Sequence, residues 1–307
     1  MNALAVTGRG AFPAVIEIAD PAPGPGEVLV GVEAASLNGI DVAVAGGYLW
    51  DRMPHTFPVV LGRDFAGVVR AITPGVEVPV GTRVAGVSTR LELGPGPIGE
   101  LFTTSAADIA VVPDGVTSAQ AAAVGLAGIT AFDLVTAADV SAADTVLVSG
   151  ATGGVGAFAV QLAAARGATV IATARPGAGE EFVRRLGAAH VVDYGGDLAT
   201  AARAVATSGV TAILHAAGDP AQLAGLLTRG GRFASALGVT GDQLGRDDLA
   251  VTAVMGAYTP EKLGSLLADV AAGKLVAPIA SVYPLDDAAA ALTAFGSGKL
   301  GKIVVTA

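Results

Sequence analysis

The 307-residue sequence contains no cysteine, one tryptophan, three histidines and only 5% aromatic residues. Without cysteine no disulfide and no thiolate metal site can form. This accords with a reducing cytoplasm. The histidines His55, His190 and His215 are too scattered to spell out a ligand set, so no metal site is expected. Basic residues are also scarce. Eighteen Lys and Arg against 27 Asp and Glu leave a formal net charge of −9. That balance argues against a general nucleic-acid binder or a protein drawn to anionic membranes. No uninterrupted apolar run reaches the roughly 18–20 residues of a membrane span. The opening MNALAVTGRG has no basic segment followed by a long apolar run, so no signal peptide is expected. The expectation is an acidic, cytoplasmic protein.

What is abundant is small and apolar. Hydrophobic residues make up 52% of the chain, and 43 residues are glycine. A chain of this length predicts about two domains. Residues 1–118 read as short strands split by Gly/Pro turns: NALAVTG, AVIEIAD, EVLVGVEAASL, FAGVVRAI, RVAGVS and DIAVVP. This spacing predicts a compact β-rich barrel or sandwich. PAPGPGE at 21–27 is a rigid turn. The texture changes near residue 118. SAQAAAVGLAGITAFDLVTAA is helical, with Ser118 as its expected cap. Then apolar strands and helices alternate through TVLVSG, TVIATA, HVVDY, VTAILHAAG, GRFASALG and AVTAVM. Strands without polar alternation, each followed by a helix, predict a buried parallel sheet over 119–256. The tail, 257–307, reads helix, strand, helix, strand.

Four of the eight residues in SGATGGVG, 149–156, are glycine. The stretch follows a strand and opens a helix. It matches the dinucleotide fingerprint, with Ala151 in the first glycine position. Gly153 permits close approach of a pyrophosphate, and Gly156 permits close helix–strand packing. Free amides at the helix start complement the negative charge. The next strand ends TVIATARP, with Arg175 and no carboxylate before Glu180. A carboxylate there would hold the 2′-hydroxyl of NAD, whereas an arginine attracts the 2′-phosphate of NADP. NADPH is therefore the expected cofactor.

These motifs resemble the medium-chain dehydrogenase/reductase superfamily, and within it the zinc-free quinone oxidoreductase branch, the zeta-crystallin-like proteins. PGPGEVLVGVEAASLNGIDVAVAGG, FPVVLGRDFAGVV, GTRVAG, GLAGITAF, SGATGGVG and GKLGKIVV carry the resemblance over almost the whole chain. It implies an α/β fold: a GroES-like β-barrel catalytic domain plus a Rossmann domain with a doubly wound parallel sheet. It also implies that the tail returns to the first part, that substrate lies in the cleft between domains, and that the protein is a homodimer. Zinc members carry a cysteine where this sequence has Asn38, and the histidine of Gly-His-Glu where it has Arg63. The resemblance therefore implies chemistry without zinc.

Carried over position by position, Thr130 resembles the family threonine near the nicotinamide ribose. Gly153, Gly154 and Val155 would meet pyrophosphate through their backbone. Thr173 and Arg175 would lie near the adenosine ribose and its phosphate. Tyr194 either joins them or packs on the following helix. Ala216, Ala217, Gly218, Leu237 and Gly238 would line the nicotinamide half. On the substrate side, the Asn38 amide and the Tyr48 hydroxyl are the expected catalytic donors. Asp41 and Asp64 are expected to brace structure. The aromatic loop YLWDRMPHTFP, 48–58, either binds a hydrophobic substrate or packs as a satellite core.

The implied activity is NADPH-dependent reduction of quinones or α,β-unsaturated carbonyls. A zinc-independent alcohol dehydrogenase or ketone reductase, and a non-catalytic NADPH-binding protein, are the alternatives.

Overall fold

The computed structural model describes residues 1–307. The chain divides into two compact units: Met1–Leu126 with Tyr258–Ala307, and Ala127–Ala257.

The first unit is built on β-strands. They are β1 (Asn2–Val6), β2 (Ala14–Glu17) and β3 (Glu27–Ser36), followed by helix α1 (Gly39–Ala45). Strands β4 (Val59–Val60), β5 (Asp64–Ile72), β6 (Arg83–Val87), β7 (Leu101–Ser105) and β8 (Ala110–Val111) come next. Strand β3 is the centre of the larger sheet. It pairs antiparallel with both β5 and β7, with Val30 opposite Val69 and Phe102. A smaller sheet has the order β2-β1-β4. Leu4, Val30, Phe65, Phe102 and Ile98 fill the core between these strands. Strand β7, sequence LFTTS, escapes the sequence reading. Its two threonines are buried all the same, because Thr103 and Thr104 pair with β3.

Helix α2 (Ser118–Ala137) carries the chain from the first unit into the second. Its cap is Thr117, one residue before the expected Ser118. The Thr117 hydroxyl accepts from the Gln120 amide, and the Gln120 side chain accepts in return from the Thr117 amide. This is a capping box. Ser118 Oγ donates instead to Glu33. The helix is also broken at Gly125, where φ −10° and ψ −123° are not helical. By length and composition alone, this helix could cross a membrane, but 67% of its apolar window is buried in the protein.

The second unit holds β9 (Thr145–Ser149), α3 (Gly154–Ala165), β10 (Thr169–Thr173), α4 (Ala178–Arg185), β11 (His190–Val192) and α5 (Leu198–Val205). Then come β12 (Val210–His215), α6 (Pro220–Ala224), β13 (Leu227–Ser235) and β14 (Ala250–Ala253). All six strands are parallel, in the order β11-β10-β9-β12-β13-β14. Val146, Leu147, Val148, Ile171, Ile213 and Leu214 are fully buried. Helices cover such a sheet on both faces, which is why its strands read as continuous apolar runs. The strand order reverses between β9 and β12. In an open parallel sheet, that reversal creates the crevice where a dinucleotide binds.

The remaining elements are α7 (Pro260–Ala271), β15 (Ile279–Pro284), α8 (Ala288–Phe295) and β16 (Lys302–Thr306), all in the first unit. Strand β16 pairs antiparallel with β3, and β15 extends the sheet beyond it. Ile303, Val304 and Val305 are buried there.

Candidate functional site

In the second unit, strand β9 leads into the glycine-rich turn. Gly150 has φ +70° and sits close against Ala216 and Ala217, so that a Cβ would lie 2.9 Å from that of Ala217. Its amide donates to Thr173 Oγ1 at 3.0 Å, and Gly153 N closes the turn on Gly150 O at 3.0 Å. Gly156 packs against the same carbonyl, and a Cβ on it would be driven into Gly150 O and to 2.7 Å from Ala151 Cα. Gly153, Gly154 and Val155 stay partly exposed at the start of α3. The first amides of a helix have no intrahelical acceptor. The turn is thus a shallow cradle of backbone donors, and it fits a pyrophosphate.

Thr173, expected beside the adenosine ribose, is only 3% exposed. Its hydroxyl braces the turn by accepting from Gly150 N and reaching Val148 O. Arg175 and Tyr194 are brought together at the ends of β10 and β11. The guanidinium lies 4.9 Å from the Tyr194 ring centroid and 3.9 Å from Asp193 Oδ1. Gly195 makes room for it, since a Cβ there would strike the guanidinium. Both side chains remain more than half exposed. Asp193 is an acidic neighbour that the sequence reading did not bring into this corner. Thr130 is nearly buried on α2.

Ala216, Ala217 and Gly218 follow β12, and Leu237 and Gly238 follow β13. One buried imidazole joins these two turns. His215, 1% exposed, has Nδ1 2.9 Å from Ser235 Oγ and Nε2 3.2 Å from Gly218 O. A carbonyl only accepts, so Nε2 carries the proton and Nδ1 accepts from the serine hydroxyl. Ser235 Oγ in turn accepts from Leu237 N at 3.1 Å and Val239 N at 3.5 Å. Burial holds the imidazole below its ordinary pKa, opposed by its bond to the Gly218 carbonyl.

In the first unit, the expected catalytic Asn38 belongs to a closed polar cluster. Its Nδ2 donates to Asp64 Oδ2 at 2.9 Å and to Ser36 O at 3.3 Å. Its Oδ1 accepts from Lys302 Nζ at 2.7 Å. The opposite amide orientation would set NH₂ against the ammonium and oxygen against the carboxylate. Both amide hydrogens are therefore engaged inside the unit. Lys302 Nζ also donates to Leu37 O and Asp64 Oδ2. Asp64 collects a further bond from Ser36 Oγ, and its other oxygen accepts from Leu126 N at the break in α2. Asp41 accepts from Asn38 N and Gly62 N. Burial pushes its carboxyl up to about 7, against the pull of the Asn38 amide.

Tyr48, the other expected donor, is 75% exposed. Of its loop, Trp50 and Phe57 take the packing role. Their rings stack at 4.6 Å, and His55 stands edge-on to both. Arg63 donates to the carbonyls of Ser88 and Arg90. No group of three or more His, Asp or Glu is arranged to hold a metal ion.

Lys302, Ser235 and the bridging part of His215 escaped the sequence reading. The signal for Lys302 was a charged residue opening an apolar strand, KIVVTA. The pairing of His215 with Ser235 had none, because each lies at the end of a different strand.

Comparisons with known proteins agree with this architecture. Residues 24–114 match the alcohol dehydrogenase GroES-like domain, and residues 186–305 match a zinc-binding dehydrogenase domain. The chain is 39% identical over 306 residues to the phthioceranic/hydroxyphthioceranic acid synthase of Mycobacterium tuberculosis. That match covers 92% of this chain and 14% of the synthase, so the chain spans about one-seventh of that relative's length. An alcohol dehydrogenase superfamily protein from Novosphingobium aromaticivorans superposes with a TM-score of 0.88 at 30% identity, covering 100% of this chain and 99% of its own. The quinone oxidoreductase from Coxiella burnetii superposes equally well, TM-score 0.88, at 26% identity, with the same coverage of both chains. A GroES-like first unit joined to a parallel sheet with a dinucleotide turn makes this chain an oxidoreductase of the medium-chain dehydrogenase/reductase superfamily.

Proposed function

We propose that this chain reduces quinones or α,β-unsaturated carbonyls with NADPH and without zinc, as a member of the quinone oxidoreductase branch. The observation that carries the cofactor choice is Arg175. It stands exposed beside Tyr194 at the end of β10, next to the glycine turn. Its contact with Asp193 is a single one at 3.9 Å, which leaves guanidinium donors for a 2′-phosphate. The zinc-free reading is supported by the donor set. An amide and a guanidinium stand where zinc relatives carry ligands, and both are bonded elsewhere. The enone reading draws on the synthase relative. Assembly of a saturated acyl chain passes through an α,β-unsaturated thioester, which takes hydride at its β-carbon.

When bound, nicotinamide would supply the hydride. The glycine turn and the start of α3 would hold its pyrophosphate through backbone amides. Negative charge develops on the substrate carbonyl oxygen and calls for donors. Asn38, with both N–H groups engaged by Asp64 and Ser36, is assigned to bracing the start of α1. Tyr48, whose side chain is exposed, is assigned the donor role together with backbone amides. The proton that completes reduction comes from solvent.

Purified protein assayed with NADPH against a quinone, an enoyl thioester and a ketone tests the reading. Turnover of the quinone or the enoyl thioester is expected. Ketone-only turnover favours the dehydrogenase alternative, and binding without turnover the non-catalytic one. Arg175→Ala is expected to weaken NADPH about ten- to hundredfold, with little change for NADH. Equal loss for both cofactors removes Arg175 from the phosphate site.

A further inference from the structure

We infer that His215 is a positioning residue for the nicotinamide half of the cofactor, acting through Ser235. In a doubly wound sheet, the two halves of a dinucleotide lie over the strand ends on either side of the switch point. Here β9, β10 and β11 carry the glycine turn, Arg175 and Tyr194. The other half, β12 and β13, ends in two exposed turns, 216–218 and 237–238. Nothing polar on those turns points to a ligand by residue type, since they read Ala-Ala-Gly and Leu-Gly. Their backbone must do the binding, so its position decides affinity. A single ring spans both turns. His215 Nε2 holds Gly218 O at 3.2 Å, and Nδ1 takes the Ser235 hydroxyl at 2.9 Å. The serine oxygen then holds Leu237 N and Val239 N. Phe233 packs against the imidazole, with ring centroids 5.2 Å apart. The chain of bonds runs from Gly218 to Val239 without a solvent link, because His215 and Ser235 are 1% and 0% exposed.

This assignment rests on the cofactor reading above, and binding titrations separate the two. NADPH and NADH are titrated by fluorescence into wild type, His215→Leu, His215→Asn and Ser235→Ala. Adenosine 2′,5′-bisphosphate and ADP, which lack nicotinamide, are titrated alongside. Losing one or two buried bonds is expected to raise the dissociation constant of the better-bound dinucleotide about tenfold in His215→Leu and Ser235→Ala. His215→Asn can keep the Ser235 bond and is expected to fall between these variants and wild type. The fragments are expected to bind all four proteins within twofold. A purely structural role moves dinucleotide and fragment together, and that result overturns the assignment. Unchanged dinucleotide binding in all three variants also overturns it, with the cofactor reading intact. Wild type that binds neither dinucleotide refutes the cofactor reading and this assignment with it.

Discussion

At the scale of single residues, one ion pair stands out by its burial. Lys302 and Asp64 are 2% and 0% exposed, and their charged atoms lie 3.2 Å apart. Taking two charges out of water is costly, and it is tolerated here because every donor and acceptor finds a partner. The ammonium has three acceptors, and the carboxylate collects Ser36, Asn38, Lys302 and the Leu126 amide. Removing one partner leaves the other buried and unpaired. Lys302→Met is therefore expected to lower unfolding free energy by about 3–5 kcal/mol in denaturant titration. Adding Asp64→Asn to that variant should restore part of the loss. A single variant within about 0.5 kcal/mol of wild type would show that the pair is dispensable. Some of this chemistry was readable beforehand. Arg175 was singled out from its strand-end position and Tyr194 through the family resemblance, and they meet in space. Asn38 was singled out too, but the lysine that occupies its oxygen lies 264 residues away. No local pattern announces such a partner.

At the scale of elements, the alternation of apolar strands with helices after residue 118 was legible because each βα unit buries both faces of its strand. Short strands were less so. Strands β4 and β7 pair with β1 and β3, and at two and five residues they are too short to show a strand period of their own. The break at Gly125 was invisible as well. A Cβ there would lie 2.5 Å from the Asp64 carboxyl, so the helix yields where a side chain from another element takes the place of its hydrogen bond. The β9–α3 unit makes a sharper demand. Gly156 sits so close to the Gly150 carbonyl that any side chain must push helix and strand apart. Gly156→Ala is expected to cost about 1–3 kcal/mol in stability by overpacking, and to weaken dinucleotide binding in fluorescence titration. A variant that melts and binds like wild type would remove the close-packing argument.

At the scale of the whole molecule, the chain leaves its first unit at Leu126 and rejoins it at Tyr258. The last fifty residues supply β15 and β16 to the sheet around β3, and Leu285, Ala288 and Ala291 to its core. A chain ended at Ala257 would strip β16 from β3 and uncover that apolar surface. It is expected to be insoluble or aggregated in size-exclusion chromatography. A soluble, monodisperse product would show that the first unit is complete without its final strands.

The parallel βα architecture after residue 118, the glycine-rich turn and the placing of Arg175 at a strand end were determined by the sequence alone. Each rests on residues within one βα unit or its neighbour, where spacing dictates position: Gly153 and Gly156 open a helix, and Arg175 ends the next strand. The closed cluster of Ser36, Asn38, Asp64 and Lys302, and the bridge from Gly218 through His215 to Ser235, were decided only by the tertiary structure. Both are made of polar groups that must be hydrogen-bonded once buried, and which partner satisfies them depends on strands brought together by the fold. Burial, not local pattern, gives an ordinary asparagine, lysine or histidine its role.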